Sequence, residues 1–400
     1  MSKKRKLIPE LRFPEFKNEG EWEIKTIGDV ANSESSSMAL NKLDLKPTGY
    51  PVYGADSIVG YIDEFQHKEK YISIVKDGSG VGRLNLCQSN SSILGTLTSL
   101  KSKNNKQYDL DWLYYLLNTV DFSVYVKGAG IPHIYYSDFK NENVPVPTPK
   151  EQQKIASCLS SLDEVIAANN QKLDLLKDHK KGLMQNLFPQ EGETVPKVRF
   201  KEFEKDGKWI ERKLEVLAKR GSGHTPNKQM SNYYDGGIKW VSLADSNKLD
   251  NRYIYDTKIN ISKEGIENSS AVLHPAGTVI LSRDAGVGKS AVLFSEMAVS
   301  QHFIVWVCDE SKLSNWYLYY LLQILKPIFE SIAVGSTIKT IGLPYFKELL
   351  IPVTSINEQL KIASCLFSLD EIIKAQEEKI EQLKRHKKGL MQGLFPKMID

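Results

Sequence analysis

The chain has 400 residues, 41% hydrophobic and 26% charged, with a formal net charge of +4. That composition belongs to folded domains with cores of their own and excludes a disordered or collagen-like chain. No apolar run approaches the roughly 18 residues of a membrane-spanning helix, and the four cysteines show no CxxC or Cys/His ligand spacing.

The first residues, MSKKRKLIPELRF, carry a basic run without the apolar core of a signal peptide, so a soluble, cytoplasmic protein is expected. With so small a net charge, any nucleic-acid surface has to be local. Cys87, Cys158, Cys308 and Cys365 read as small apolar fillers in a reducing compartment.

Residues 9 to 31, PELRFPEFKNEGEWEIKTIGDVA, form a lead-in segment. After it, YPVYGADSIVGYIDEF, KYISIVKDGSGVGRLNLC and SSILGTLTSL alternate strand-like runs with glycine turns. An aromatic helix is expected over Trp112 to Asn118, followed by a glycine loop, GAGIPHI (128 to 134), and the exit VPVP (144 to 147). Apolar residues then recur in steps of four and three at Ile155, Leu159, Leu162, Ile166, Leu173, Leu176, Leu183 and Leu187, with Asn169 and Lys180 completing the seam. A sustained 3.5-residue period predicts a coiled-coil helix, since it keeps one seam facing a partner helix. About 35 residues of helix span on the order of 50 Å. Pro147 and Pro149 before it and Phe188-Pro189 after it are expected to set its limits.

The same order then repeats. Residues 196 to 218, PKVRFKEFEKDGKWIERKLEVLA, match the lead-in, with Trp209 in the place of Trp22. Strand-like IKWVSL, AGTVILS, KSAVLF and SQHFIVWV follow, then an aromatic helix over Trp316 to Leu325, the loop GSTIKTI (335 to 341) and the exit IPV (351 to 353). The second long helix carries Ile362, Leu366, Leu369, Ile373, Ile380, Leu383, Leu390 and Leu394, with Gln376 and Lys387 at the same polar seam positions. Residues 151 to 189 and 358 to 396 are identical at 27 of 39 positions without a gap. The front segments are offset by 187 residues and the back segments by 207, so the second interior holds 20 extra residues within a shared frame. The expected fold is α+β: two mostly-β domains (1–150 and 190–357) separated by two long helices (151–189 and 358–400) packed as an antiparallel coiled coil, with an internal pseudo-twofold repeat. The polar seam positions either fix register and partner or mark where the helices splay or touch something else.

AGVGKS at 285 to 290 suggests a phosphate loop, but Arg283 stands where that pattern needs its first glycine, and no helical pattern follows. GSGVGR at 78 to 83 occupies the equivalent place in the first half, so both read as glycine turns followed by a base, Arg83 or Lys289. There is no HExxH pair, no GxSxG elbow, no N-P-P-aromatic loop and no carboxylate cluster, so no catalytic, cofactor-binding or metal-binding residue is expected. The DNA-contact candidates are basic and polar residues on glycine-rich turns: Lys76, Ser79 and Arg83 in the first half, Arg283 and Lys289 in the second. Lys127, His133 and Lys339 join them from the two glycine loops, with Gly223, His224 and Thr225 from GSGHTP. Arginine can bridge guanine O6 and N7, whereas lysine, serine and backbone amides hold phosphates. Each of these residues is equally read as a solvated surface turn. The duplicated HKKGLMQ (179 to 185 and 386 to 392), with Lys177, Lys384 and Arg385 nearby, is a solvated helix end or a backbone or partner contact.

On the paired RFxEF…W lead-ins, the VPVP and IPV exits running into EQxKIASCL, and the two long helices, the chain resembles the specificity subunits of type I restriction-modification systems over essentially its whole length. The resemblance implies that 1–150 and 190–357 are target-recognition domains, each reading one half of a bipartite, asymmetric target in double-stranded DNA. It implies that the helices are spacers, that two modification (methyltransferase) subunits bind the conserved frame, and that restriction/motor subunits join them. In that scheme this chain is not itself an enzyme and binds no cofactor; S-adenosylmethionine, ATP and Mg belong to partner subunits, and adenine is flipped and methylated by the methyltransferase. Two other readings stay open: a two-domain DNA-binding regulator that uses the coiled coil to dimerise, and a self-sufficient enzyme with diverged motifs.

Overall fold

The computed structural model describes residues 7–335 and 339–397; the basic run at 2–6, residues 336–338 of the GSTIKTI loop and residues 398–400 lie outside the described residues. The chain forms two compact units, residues 1–171 with 378–400, and residues 172–377. The long helices are Pro149–Leu187 and Ile356–Leu394, 39 residues each. Each unit therefore holds one β domain, the start of one long helix and the end of the other. Pro149 is the first residue of its helix rather than a residue before it, a position where proline costs nothing because its missing N–H has no intrahelical partner.

In the first unit the lead-in strand Glu23–Thr26 pairs antiparallel with the exit strand Asn143–Val146. The β domain between them has a four-stranded sheet in the order Ala31–Ser35, Leu97–Ser102, Tyr71–Val75, Leu84–Cys87. A three-stranded sheet, Ile58–Ile62, Tyr50–Tyr53, Ser92–Ile93, completes it. Tyr71–Val75 is buried at all five positions, as a central strand covered on both faces is, and its one polar residue, Ser73, accepts from Cys87 Sγ at 3.4 Å.

The second unit repeats this order. Ile210–Lys213 pairs with Leu350–Val353, and the larger sheet runs Ala218–Ser222, Phe303–Cys308, Val279–Ser282, Ser290–Leu293 before gaining an edge strand, Tyr253–Ile254. Residues 54–70 join the equivalent strands of the first domain where residues 242–278 join them in the second, 17 against 37, so nearly all of the extra length sits in this one connection. It includes Asp250 and Arg252, both with positive φ (65° and 68°). The Arg252 guanidinium lies 4.8 Å from the centre of the Phe367 ring and pairs with Glu371, which ties the insertion to the second long helix.

The aromatic helices differ in length. The first is Leu110–Leu117, and the second runs Asn315–Ile332, seven residues past the expected Leu325 and through Pro327. Phe329 explains the extension: fully buried beyond the proline, it packs on Tyr345 and Phe346 with ring centres 6.2 and 6.1 Å apart. That burial offsets the backbone hydrogen bond lost at the proline.

Each long helix begins with a buried Glu-Gln dipeptide that gathers the surrounding chain. Glu151 accepts two hydrogen bonds from Arg12, Nε and Nη2 both at 2.8 Å, while Arg12 Nη1 donates to the Glu19 and Gly20 carbonyls. Glu358 and Arg199 repeat this at 2.7 and 2.7 Å, with the Asp206 and Gly207 carbonyls. Gln152 donates to the Pro147 and Gln107 carbonyls and accepts from the Asp109 amide; Gln359 does the same with Thr354, Lys312 and Ser314. Each lead-in also meets the far end of a long helix. Leu11 N donates to the Gly393 carbonyl and Trp22 packs edge-on against Phe395 in one unit, as Val198 N does to Asn186 and Trp209 against Phe188 in the other.

Within each unit the helices run antiparallel. In the second unit Lys177 pairs with Glu377 and Lys180 with Asp370, at 2.7 and 2.6 Å. In the first, Lys387 reaches Asp163 at 2.5 and 2.7 Å. The two seam lysines thus close equivalent clusters: Tyr115 donates to Asp163 and Tyr320 to Asp370, both at 2.7 Å, and each lysine also sits over its tyrosine ring. Burial first, then the aspartate, pushes both phenols up, so they remain donors. All sixteen apolar seam residues are buried or half-buried. Among the described residues no helix is long and apolar enough to cross a membrane.

Removing one partner of a buried pair leaves a desolvated charge, whereas removing both does not. We predict that Glu151→Leu lowers stability by about 3–5 kcal/mol and that Arg12→Met combined with Glu151→Leu costs clearly less. Urea unfolding of the full chain checks this; a double variant as unstable as the sum of the singles contradicts it.

Candidate nucleic-acid interface

The sequence candidates converge on one duplicated hairpin. In the first unit the strands Tyr71–Val75 and Leu84–Cys87 are joined by residues 76–83, closed by Gly82 N to the Val75 carbonyl (2.8 Å) and Arg83 N to the Gly80 carbonyl (3.0 Å). In the second unit the strands Val279–Ser282 and Ser290–Leu293 are joined by residues 283–289, closed by Gly288 N to Ser282 (2.9 Å) and Lys289 N to Gly286 (3.2 Å). Lys76 therefore corresponds to Arg283, Asp77 to Asp284 and Arg83 to Lys289. Gly288 has φ +83°, and a Cβ there would lie 2.8 Å from Lys326 Cγ, so glycine is required. The AGVGKS run is a turn between antiparallel strands, with no helix after it to receive a phosphate.

A second loop docks on each hairpin. In the first unit, Lys127 and His133 exchange both backbone hydrogen bonds, Gly78 N donates to the Pro132 carbonyl, and Ile134 N to Lys76. Lys76, Ser79, Lys127 and His133 are thereby brought together. Ser79 is exposed, Lys76 and His133 half-exposed, and the Lys127 ammonium pairs with Asp138 at 2.6 Å, holding that carboxyl below its ordinary range. Arg83 is exposed at the hairpin's far side and pairs with Asp56. In the second unit, Val334 and Thr340 close the equivalent loop, and Ile341 N donates to the Arg283 carbonyl. Lys339 on this loop is exposed and Lys289 half-exposed.

Arg283 differs from its expected role. Its Nε donates to the Gln301 carbonyl at 3.1 Å and its Nη1 to the Ile341 carbonyl at 3.3 Å, leaving the side chain 19% exposed. Two of its five N–H donors are committed to carbonyls of two different loops, and its Nη2 lies 3.9 Å from Asp284. Gly223 is likewise a packing position, since a Cβ there would lie 1.7 Å from the Val299 carbonyl oxygen. His224 is exposed with its amide on that carbonyl at 3.1 Å, and Thr225 donates to the Gln301 side chain.

Sequence reasoning missed a polar chain beside these residues. Buried Asp284 accepts from Thr340 Oγ1 at 2.5 Å and lies 2.8 Å from His302 Nδ1. The one available signal was the polar pair Gln301-His302 immediately before the wholly apolar strand start Phe303-Ile304-Val305. Two of the four thiols are unreactive in character: burial raises both Cys87 and Cys308, the latter up to about 12. Among the described residues, no group of three or more His, Cys, Asp or Glu side chains is placed to hold a metal ion.

The family model of the type I restriction modification DNA specificity domain matches this chain twice, over residues 19–178 and 206–385. The MjaVIII type I restriction enzyme specificity subunit of Methanocaldococcus jannaschii is 25% identical, across 96% of this chain and 93% of its own. The putative MjaX specificity subunit of the same organism is 22% identical across 94% and 93%. Among solved structures, the S subunit of a type I restriction-modification system from M. genitalium has the same fold, with a TM-score of 0.65, 19% identity, and coverage of 98% of this chain and 100% of that one. The two domain matches fall on the two halves of the duplicated frame, each including one glycine hairpin, and the chain belongs to the specificity subunits of type I restriction-modification systems.

Proposed function

We propose that each β domain reads one half of a bipartite, asymmetric target in double-stranded DNA, and that the chain directs partner subunits to modify or cut that DNA. One observation carries this reading: the same hairpin is presented twice by the same frame, with Lys76, Ser79 and Arg83 in one copy and Arg283, Ala285 and Lys289 in the other. Equivalent hairpins with unlike side chains fit two readers of unlike sequences. Exposed Ser79, Arg83, Lys127, His224 and Lys339, with Lys76, His133, Thr225 and Lys289 at the edges, are the proposed DNA contacts, and Arg283 orders the loops that carry them.

The long helices serve as spacers, so the bases between the half-sites need not be touched. Two modification subunits bind the duplicated frame, and restriction/motor subunits act through them. S-adenosylmethionine, ATP and Mg work on those partners, and the target adenine is flipped into a methyltransferase subunit. The whole assembly acts in the cytoplasm, where the DNA is.

Mapping modified adenines in the host genome with and without this gene tests the reading. A two-part motif with unlike halves should vanish when the gene is deleted, and adding one helical turn to both long helices should lengthen the unread gap. A deletion that leaves every modified site in place contradicts the proposal. Replacing Arg83 with alanine should weaken DNA binding by about five- to tenfold at low salt and flatten its salt dependence, as loss of one cationic contact does. Equal affinity across a salt titration would remove Arg83 from the interface.

A further inference from the structure

In the second domain the turn entering the strand Phe303–Cys308 carries Gln301 and His302. The His302 carbonyl accepts from Arg283 N at 3.0 Å, and in the first domain the Thr96 carbonyl accepts from Lys76 N at 2.9 Å. Thr96 is therefore the counterpart of His302, and Gly95 of Gln301. Gly95 has little room for a side chain, since a Cβ would sit 3.2 Å from the Met38 carbonyl oxygen. One position of the duplicated frame thus holds two unlike residue pairs, each beside the proposed DNA-contact hairpin.

The environment of His302 fixes its chemistry. Asp284 is buried and lies 2.8 Å from Nδ1, and its other oxygen is occupied by Thr340. A carboxylate oxygen is an acceptor, so the geometry places a ring N–H at Nδ1, and in that tautomer of the imidazole Nε2 is the acceptor nitrogen. Nε2 has no hydrogen-bond partner among the described residues, and the side chain is 31% exposed. His302, Gln301 and Thr225 border a groove also lined by Tyr234, Trp240 and Ile259. Trp240 is itself held by its Nε1 donating to the His224 carbonyl at 3.1 Å.

We propose that His302, oriented by Asp284, reads an exocyclic amino group in the major groove, adenine N6 or cytosine N4, at one position of the half-site recognised by the second domain. These amino groups are the base donors exposed in that groove, so they match an acceptor nitrogen. The inference rests on the DNA-reading role proposed above and adds the residue and base class that distinguish the second reader from the first. Asp284 is a positioning residue, because it acts through the imidazole.

The test is selection from a randomised duplex DNA library by the full-length chain in complex with its methyltransferase subunits. Wild type should yield a two-part motif with adenine or cytosine dominant at one position of one half, and the identity of that base separates the two sources of the amino group. His302→Ala should reduce that preference about five- to tenfold, the discrimination of a single base-edge hydrogen bond, and leave the other positions alone. Asp284→Asn should do something a merely structural residue would not. Its carboxamide can donate to Nδ1, which moves the proton to Nε2 and turns the preference toward guanine or thymine. An unchanged motif with His302→Ala overturns the inference, as does a uniform loss of affinity with the motif intact. If Asp284→Asn fails to fold, as thermal unfolding would reveal, the His302→Ala motif decides alone. A wild-type selection without a two-part motif would instead overturn the DNA-reading role beneath it.

Discussion

The buried ion pair between Arg12 and Glu151, repeated as Arg199 and Glu358, constrains more of this fold than any other contact. A charge pair this deeply desolvated is stable only if its geometry is bidentate and its remaining donors are satisfied, and both copies meet that condition through two backbone carbonyls of the lead-in turn. The neighbouring glutamines extend the same logic, tying the start of each long helix to the exit strand and to the cap of each aromatic helix. Three segments distant in sequence are fixed at each helix start by buried, hydrogen-bonded side chains. The frame is duplicated because the chemistry of these junctions is.

What the junctions hold is free to vary. The duplicated hairpins are closed by backbone hydrogen bonds and glycines, so their closure does not depend on the side chains they display. A domain built this way can change Lys76 for Arg283, or Gly95 and Thr96 for Gln301 and His302, without altering how it is mounted. The second domain has also acquired an insertion with its own attachment, Arg252 against Phe367 and Glu371. In the first helix copy the residue corresponding to Phe367 is Ser160, so the aromatic half of that attachment belongs to the second domain alone.

Much of the architecture was legible in the sequence because it is periodic or repeated. The apolar seam pointed to both long helices, which run 149–187 and 356–394 against the expected 151–189 and 358–400, so the second stops six residues early, and the offset between repeats gave the size of the insertion. The aromatic helix through Pro327 was not legible, since its continuation depends on Phe329 finding Tyr345 and Phe346 from another segment. The repeated Arg and Glu-Gln were visible as markers, but their pairing across more than 130 residues was not. For the interface, residue type identified bases on turns and could not tell a free guanidinium from one spent on backbone carbonyls, as Arg283 is. Asp284, His302 and Thr340 are far apart in the chain, so only folding brings them together.

The type I specificity-subunit family assignment and the duplicated mounting lead to one account: a fixed frame carrying two independently variable DNA readers. Its central claim is that the readers are separable. The most direct measurement replaces residues 32–110 with the matching segment of a relative that has a different target, and maps the modified adenines produced by the otherwise unchanged complex. The account predicts a new sequence in one half-site, with the other half-site and the gap between them retained. A change in both half-sites would contradict it.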